Sequence, residues 1–351
     1  MMRIGKRSAA TIKDALNFWK TGGFIDEDQA DRLNSSIKVI NFDWKKLSML
    51  AILFAIFSFI IAVTSIIPEL MDYFKDERIQ LLLLSILATC CYIVGSYRKT
   101  NWPQKIYSNE GIFFLGVLLT AAAVCVFFIV LEIRFNITSD NPSCLMLIAS
   151  IIYVTLGIFL SSKLIWCFAL LSIGGYLGIE TGYLSGWGAY YLGMNYPLRF
   201  VLFGLCLIGL SKNVKIIPRI LSFSRITLVI GLLYLFISLW IMSIFGNYGD
   251  LYSWHQIKQI ELFHWSLTFA LASSAAIYYG IKEDDSVVCN FGIIFLAINL
   301  YTRYFEYFWN STHKFIFFCI LGVSFWMLGI KAEQIFNLNV EYKKRREIKN
   351  I

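Results

Sequence analysis

Four polar residues near the end of the chain, Asn299, Arg303, Glu306 and Asn310, are spaced so that they share one face of an α-helix. The residues around them are aromatic and aliphatic, which suits lipid. An ionisable side chain in a spanning helix raises the free energy of membrane insertion by about 2.5–3.5 kcal/mol. Arg303 and Glu306 can partly neutralise each other. We therefore expect this face to point into a helical bundle, either as a substrate contact or as a polar lock between helices.

Further ionisable residues lie at the ends of other apolar stretches. Glu261, His264 and Thr268 share one helical face at the start of such a stretch, and Glu180 and Arg199 lie at the ends of two more. A Glu-x-x-His pair can bind a metal or relay protons, but a single copy is weak evidence, and histidine at a membrane interface is commonly just solvated. In the topology derived below, all these groups lie near the outer leaflet. Their shared depth predicts that they line one outward-facing cavity. Its candidate substrate-binding residues are Glu180, Arg199, Glu261, His264, Asn299, Arg303 and Glu306.

The composition places these residues in a membrane protein. Hydrophobic residues make up 58% of the 351 positions and charged residues 15%, which departs strongly from soluble proteins. The net charge of +8 comes from basic residues between apolar stretches, without a nucleic-acid-binding motif. The eight cysteines show no zinc spacing and are predicted to be small buried apolar residues. We expect membrane lipids as partners, and neither a metal, a cofactor nor a nucleic acid.

Ten apolar stretches approach the roughly 20 residues that a helix needs to cross a bilayer. Helices are expected because lipid forms no hydrogen bonds with the backbone, so the backbone groups must pair with one another. The stretches are also too long for barrel strands. The predicted fold is an all-α polytopic bundle, with a cytoplasmic helical hairpin (1–46), a transmembrane bundle (47–333) and a basic cytoplasmic tail (334–351). The predicted spans are 47–67, 79–97, 111–133, 144–160, 164–180, 197–211, 226–246, 262–280, 287–309 and 315–333.

The orientation follows from the basic residues, which are retained on the cytoplasmic side. With the N-terminus inside, 24 of the 31 Lys and Arg residues fall on cytoplasmic segments or at their edges, and 7 fall outside. Span 197–211 is short, but removing it would move Lys212, Lys215 and the cluster at 343–346 to the outside. The sequence therefore predicts an even number of spans in the plasma (inner) membrane, with both termini cytoplasmic.

The segment before the first span has its own helical pattern. Residues 11–20 have helical periodicity, Gly22 and Gly23 interrupt it, and Asp26 can cap a second helix that runs toward Leu33. The result is a small hairpin that serves as a packing or assembly element, or that binds a protein partner or ligand.

The run from Phe18 to Leu33, FWKTGGFIDEDQADRL, resembles the start of the predicted membrane proteins grouped as domain of unknown function 2157. The run Asn109-Glu110-Gly111 before an apolar stretch is also similar to that family. The likeness covers about the first half of the chain. It departs after the first span, where the family often has an Asn-Trp pair and this chain has Ser-Ile-Ile-Pro at 65–68. The resemblance implies a polytopic fold and assigns no catalytic residue.

Three functions fit these patterns. The first is movement of a small polar or lipid-linked compound through an outward-facing polar cavity. The alternative is a membrane-embedded enzyme that acts on a lipid-linked substrate at the outer leaflet, with Glu261 or Glu306 as acid or base and His264 as proton shuttle. The third is a membrane scaffold or sensor whose N-terminal hairpin binds a partner. Substrate, ion coupling and oligomeric state leave no mark in the sequence.

The predicted topology can be tested by cysteine labelling of intact cells. A cysteine introduced near Lys215 or Lys344 lies in a cytoplasmic segment, so a thiol reagent that cannot cross the membrane should label it only after the cells are permeabilised. Labelling of either position in intact cells would contradict the topology.

Overall fold

The computed structural model describes residues 2–40, 76–103, 106–135, 141–187, 190–213, 221–248 and 254–327, together with Phe54, Ser58 and Ser65. Most of the predicted first span (47–67) and the tail (334–351) therefore lie outside the described residues. The chain divides into two compact units. The first ends at Glu180 and the second begins at Thr181, and each is described by itself.

The first residues form two short strands around two helices. They are β1 (Met2–Gly5), α1 (Lys6–Thr21), α2 (Glu27–Ser35) and β2 (Ile37–Ile40). The strands pair in parallel, which the sequence pattern does not predict. Asp26 caps α2: its carboxylate accepts a hydrogen bond from the Gln29 main-chain N–H at 2.7 Å, and the Gln29 side chain accepts one from the Asp26 N–H. Gly23, at φ 73°, supplies the left-handed turn between the helices.

Apolar helices make up most of the remaining described chain. They are α3 (Glu77–Asn101), α4 (Ile106–Phe135), α5 (Ser143–Leu160), α6 (Lys163–Leu184), α7 (Tyr196–Asn213), α8 (Ser224–Phe245), α9 (Phe263–Lys282), α10 (Ser286–Phe308) and α11 (Lys314–Met327). A 3₁₀ turn, Gln259–Leu262, precedes α9. Within the described residues, seven helices are long and apolar enough to cross a membrane: α3 to α6 and α8 to α10.

These seven helices coincide with seven of the ten predicted spans. Predicted span 197–211 lies within α7, which is not among the seven, and predicted span 315–333 extends past the last described residue, Met327. The total of ten spans therefore stays a prediction. Three of the prolines lie between helices or in a first turn, where a proline leaves the helix unbroken: Pro103, Pro142 and Pro197.

Large apolar side chains cover the outside of the helices. Phe159 is 85% exposed, Leu300 64% and Leu271 62%. Exposed apolar surface on this scale is a liability in water, whereas lipid solvates it. The fold is that of a multi-pass helical membrane protein.

The prediction of buried cysteines is wrong for most of them. Only Cys289 is buried, while Cys91 and Cys167 are half-buried and Cys90, Cys125, Cys144, Cys206 and Cys319 are exposed. The reason is that the solvent of these helices is lipid, so a weakly polar thiol needs no protein interior to escape water.

Glycines bring the helices of the first unit into close contact. The ring of Phe113 on α4 lies against Gly95 on α3, where a Cβ atom would come within 2.8 Å of it. The ring of Tyr92 on α3 lies in the same way against Gly116 on α4. A side chain at either glycine would collide with the facing ring, so the two glycines allow the close approach of α3 and α4.

The helices of the second unit approach even more closely. A Cβ atom on Gly204 of α7 would lie 2.6 Å from the main-chain nitrogen of Leu235 on α8. A Cβ atom on Gly292 of α10 would lie 2.6 Å from the Ser273 carbonyl oxygen on α9. Close backbone contact of this kind is how helices associate in lipid, where dispersion contacts replace the hydrophobic effect.

An ion pair joins the starts of α8 and α10. The Arg225 guanidinium donates to both carboxylate oxygens of Asp285, at 2.5 and 2.9 Å. Asp285 also caps α10, because its carboxylate accepts the main-chain N–H groups of Val287 and Val288. The hydrogen bond from Arg225 holds the pKa of Asp285 below its usual range, although burial opposes the shift.

This pair predicts a stability that depends on pH. Because the pKa of Asp285 is lower in the folded protein, its contribution is present above the pKa of the unfolded state and is lost as the pH falls through the folded pKa. We expect Asp285→Asn, which keeps a capping side chain, to lower the unfolding free energy by less than about 1 kcal/mol, since Arg225 is half-exposed. Asp285→Ala should lower it by about 1 kcal/mol more, through the lost cap.

Unfolding in mixed detergent micelles, at neutral pH and at a pH below the usual aspartate range, measures both effects. The difference between the wild type and Asp285→Asn should shrink in acid, whereas the difference between the two variants should persist. A difference between the wild type and Asp285→Asn that is the same at both pH values would contradict the ion-pair contribution.

Candidate functional site

Glu180, the last residue of the first unit, is held by the start of another helix of that unit. Its carboxylate accepts a hydrogen bond from the Asn141 side-chain amide at 2.7 Å and another from the Ser143 hydroxyl. The Asn141 side-chain oxygen in turn accepts a hydrogen bond from the Ser143 main-chain N–H at 3.0 Å, at the beginning of α5. The positive end of a helix dipole stabilises a carboxylate placed there. Glu180 therefore fastens α6 to α5.

Arg199 lies in the first turns of α7 and is almost fully buried, with 4% exposed. Its Nε donates to the Met194 carbonyl oxygen at 2.9 Å and its Nη1 to the Thr181 hydroxyl at 3.1 Å. The guanidinium lies 4.4 Å from the centre of the Tyr196 ring and 5.6 Å from that of Tyr191. Cation–π contact stabilises a buried charge. Arg199 thus fixes the turn before α7.

Two asparagines that the sequence reasoning does not single out complete this turn. The Asn247 side chain accepts the Asn195 main-chain N–H at 2.9 Å and donates to the Gly193 carbonyl at 2.9 Å. The Asn195 side chain donates to the Gly246 carbonyl at 2.8 Å, and the Tyr190 hydroxyl donates to the Asn247 carbonyl. These bonds tie the start of α7 to the end of α8. The only signal in the sequence is that each asparagine lies near a glycine: Asn247 directly follows Gly246, and Asn195 lies two residues after Gly193.

Glu261 and His264 lie at the start of α9 and are both exposed. Glu261 belongs to the 3₁₀ turn before the helix. The Nδ1 atom of His264 lies 2.7 Å from the main-chain carbonyl oxygen of Glu261, so the imidazole is bonded to the backbone of Glu261. The Thr268 hydroxyl donates to the His264 carbonyl. All three residues occupy the exposed face of this helix.

The buried face of α9 carries Ser266, which bonds to Asn299 on α10. The Ser266 hydroxyl donates to the Asn299 side-chain oxygen at 2.9 Å, and the Asn299 amide donates to the Ser266 carbonyl at 2.9 Å. Both residues are less than 5% exposed. Sequence reasoning finds Asn299 but misses Ser266. Its signal is a stripe of small residues, Ser266, Ser273 and Gly280, at seven-residue intervals.

Arg303 and Glu306 form the predicted ion pair on α10, and their side chains are only 11% and 10% exposed. Arg303 Nη2 also donates to the Ser243 carbonyl oxygen near the end of α8, at 2.7 Å. Arg303 Nε has no hydrogen-bond partner among the described residues. Close by, the Trp240 indole N–H donates to the Thr302 hydroxyl at 3.0 Å. The guanidinium thus bridges α8 and α10.

Five residues of the second unit form two bonded groups, and we call them together the polar layer: Ser266 with Asn299, and Ser243 with Arg303 and Glu306. They come from α8, α9 and α10, whose ends meet at this level because neighbouring helices are antiparallel. One sequence expectation is wrong here. Asn310 does not continue the helical face of Arg303 and Glu306, because α10 ends at Phe308 and Asn310 is exposed in the following turn.

The first unit has a polar cluster of its own. The Lys99 ammonium donates to the Leu160 and Ser161 carbonyl oxygens at 2.9 and 2.8 Å, so it caps the last turn of α5. The Ser162 hydroxyl donates to the Glu110 carboxylate at 3.0 Å. The Asn109 side chain donates to the Trp102 carbonyl at 3.1 Å. Asn109 and Glu110 therefore tie the start of α4 to two neighbouring helix ends.

No protein-family model, curated protein or solved structure matches the chain. In the part of the chain that the structure describes, no group of three or more His, Cys, Asp or Glu side chains is placed to hold a metal ion.

The Arg303–Glu306 pair can be tested by a double-mutant cycle. Arg303→Leu leaves the buried Glu306 carboxylate without its counter-ion, and breaking a buried pair in this way costs about 3–5 kcal/mol. We expect Arg303→Leu to lower folded yield and stability strongly, and Arg303→Leu with Glu306→Leu to recover part of the loss. Unfolding of purified protein in micelles measures the coupling, and additive losses would show that the two residues act separately.

Proposed function

We propose that this chain moves a small polar or lipid-linked compound across the membrane, and that the polar layer is its binding site, open to the outside. The observation that carries the proposal is the buried Arg303–Glu306 pair inside an apolar spanning helix. Ionisable groups at such positions are expensive, and they mark substrate or ion pathways in membrane proteins.

The donors of Arg303 indicate the kind of substrate. Its Nη2 is bound to the Ser243 carbonyl and its Nη1 faces Glu306, which leaves Nε without a partner among the described residues. A guanidinium binds carboxylate and phosphate through two neighbouring donors. The proposed substrate therefore carries an anionic group, which competes with Glu306 for Arg303.

The wider framework of the proposal rests on the sequence. It includes ten spans in the plasma membrane, both termini in the cytoplasm, and a cytoplasmic N-terminal hairpin that binds a protein partner or packs against the bundle. The supporting observations are the distribution of basic residues and the Asp26 cap of α2. Membership of the domain of unknown function 2157 family is part of the same proposal and rests on the resemblance of residues 18–33 and 109–111.

A membrane scaffold is the second candidate, and the satisfied hydrogen bonds favour it. Asn299 and Ser266 bond to each other in both directions, and Glu180 is bound by two donors. Polar groups used in this way lock helices together. The enzyme has less support, because His264 bonds to the main-chain oxygen of Glu261 and both residues are exposed on α9.

Water access to the polar layer separates transport from a scaffold. Ser266 contacts Asn299, which lies nine residues before the end of α10 and hence about 14 Å along the helix from that end. Ser266→Cys changes one atom, and Leu267→Cys places a thiol at nearly the same depth on an exposed, lipid-facing position. Both are made in a variant whose native cysteines are replaced by alanine.

We expect a charged methanethiosulfonate reagent added outside intact cells to modify Ser266→Cys and to leave Leu267→Cys unmodified. Only a thiol in contact with water ionises and reacts with such a reagent. Absence of labelling at Ser266→Cys would favour the scaffold. Equal labelling of both thiols would show general exposure of this helix end and no specific cavity.

A further inference from the structure

A groove in the first unit has the shape and chemistry of a lipid site. Its volume is about 470 Å³, and α3, α4 and α5 line it. Leu81 of α3, Phe127 of α4 and Ile148 of α5 form one end, and Tyr92 of α3 and Thr120 of α4 lie at the other. All three helices are membrane-spanning by length and composition. The groove therefore opens to molecules that reside in the bilayer.

Three of the four hydroxyl groups that line the groove bond to the protein itself. The Tyr92 and Thr120 hydroxyls lie 2.9 Å apart, and the Thr120 hydroxyl donates to the Gly116 carbonyl at 2.9 Å. The Thr89 hydroxyl donates to the Ser85 carbonyl at 2.7 Å. These groups need no ligand to satisfy them, and aliphatic and aromatic side chains form most of the remaining walls. The wall chemistry suits a hydrocarbon chain.

The length of the groove matches one leaflet. From Leu81 to Tyr92 the helix rises about 16 Å, at about 1.5 Å per residue. Half of the hydrocarbon thickness of a bilayer is about 15 Å. An acyl chain of ordinary length, entering at the Leu81 end, would thus reach the Tyr92 and Thr120 hydroxyls at the floor.

A positive charge stands where the headgroup of such a lipid would lie. The groove adjoins a depression along α3 that shares Leu81, Ser85 and Thr89 with it and that is also lined by Arg78. Arg78 is exposed in the first turn of α3, one turn before Leu81, next to the main-chain N–H groups of the helix start. Asp76 accepts the Arg78 main-chain N–H as the helix cap. The guanidinium remains able to bind a phosphate.

We infer that the α3–α5 groove binds one acyl chain of a lipid with a phosphate headgroup, and that Arg78 contacts that phosphate. On the predicted topology α3 begins at the outer surface, so this is a lipid of the outer leaflet. The inference does not depend on the proposed function, because its residues belong to the first unit and the polar layer belongs to the second.

Photo-crosslinking in vesicles tests the groove. The full chain is reconstituted in phosphatidylcholine that contains a small fraction of phosphatidylglycerol with a diazirine in the middle of one acyl chain. We expect peptides that contain Ile148, Ile152 or Phe127 to be crosslinked well above other lipid-facing peptides. Ser85→Phe fills the groove from an exposed position, and should lower this crosslinking several-fold. Leu87→Phe, on the same helix but outside the groove, should leave it unchanged.

The headgroup is tested with a second probe. Arg78→Gln should lower crosslinking by the phosphatidylglycerol probe several-fold, and it should lower crosslinking by a diazirine diacylglycerol, which carries no phosphate, much less. Melting temperatures and gel-filtration profiles confirm that each variant is folded. Uniform crosslinking of the helix surfaces, or a groove that stays unlabelled because another part of the chain covers it, overturns the inference. An equal effect of Arg78→Gln on both probes overturns the assignment of the phosphate.

Discussion

Hydrocarbon offers no hydrogen bonds, so a polar side chain on a spanning helix must find its partner within the protein. The polar contacts of this chain follow from that constraint. Asn299 and Ser266 satisfy each other across two helices, Arg303 divides its donors between Glu306 and the Ser243 carbonyl, and Lys99 takes the carbonyls at the end of α5. Each contact stabilises one helix against another at the level where the polar atom lies. Close glycine contacts add dispersion contacts between the helices.

Hydropathy and length predict the spanning helices well because both reflect a single physical quantity, the thickness of the bilayer. Seven predicted spans coincide with described helices, and Asp26 caps α2 as predicted. The parallel pairing of β1 with β2 has no such signal, since it depends on two four-residue strands far apart in sequence. The end of α10 at Phe308 also carries no breaker, and the polar residues beyond it continue the helical spacing by chance.

The site is harder to predict, because the sequence gives the depth of a residue but not its direction. In a soluble helix the apolar stripe marks the buried face, whereas in lipid both faces are apolar and this contrast is weak. Spacing correctly identifies the pairing of Arg303 with Glu306, since both lie on one helix. It cannot tell that Glu261 and His264 occupy the exposed face of α9 while Ser266 occupies the buried one. Partners on other helices, such as Ser243, leave no trace in local sequence.

The placement of Arg303 and Glu306 on the same helix has a consequence for biogenesis. A counter-ion three positions away is present as soon as that helix has been synthesised, so α10 enters the bilayer as a neutral unit and does not wait for a neighbour to compensate its charge. The amide of Asn299 is different, because its partner is on α9 and the bond forms only when the two inserted helices associate. The charged groups, which are the most costly to insert into lipid, are thus compensated during insertion. The less costly amide is compensated only later, when the helices assemble.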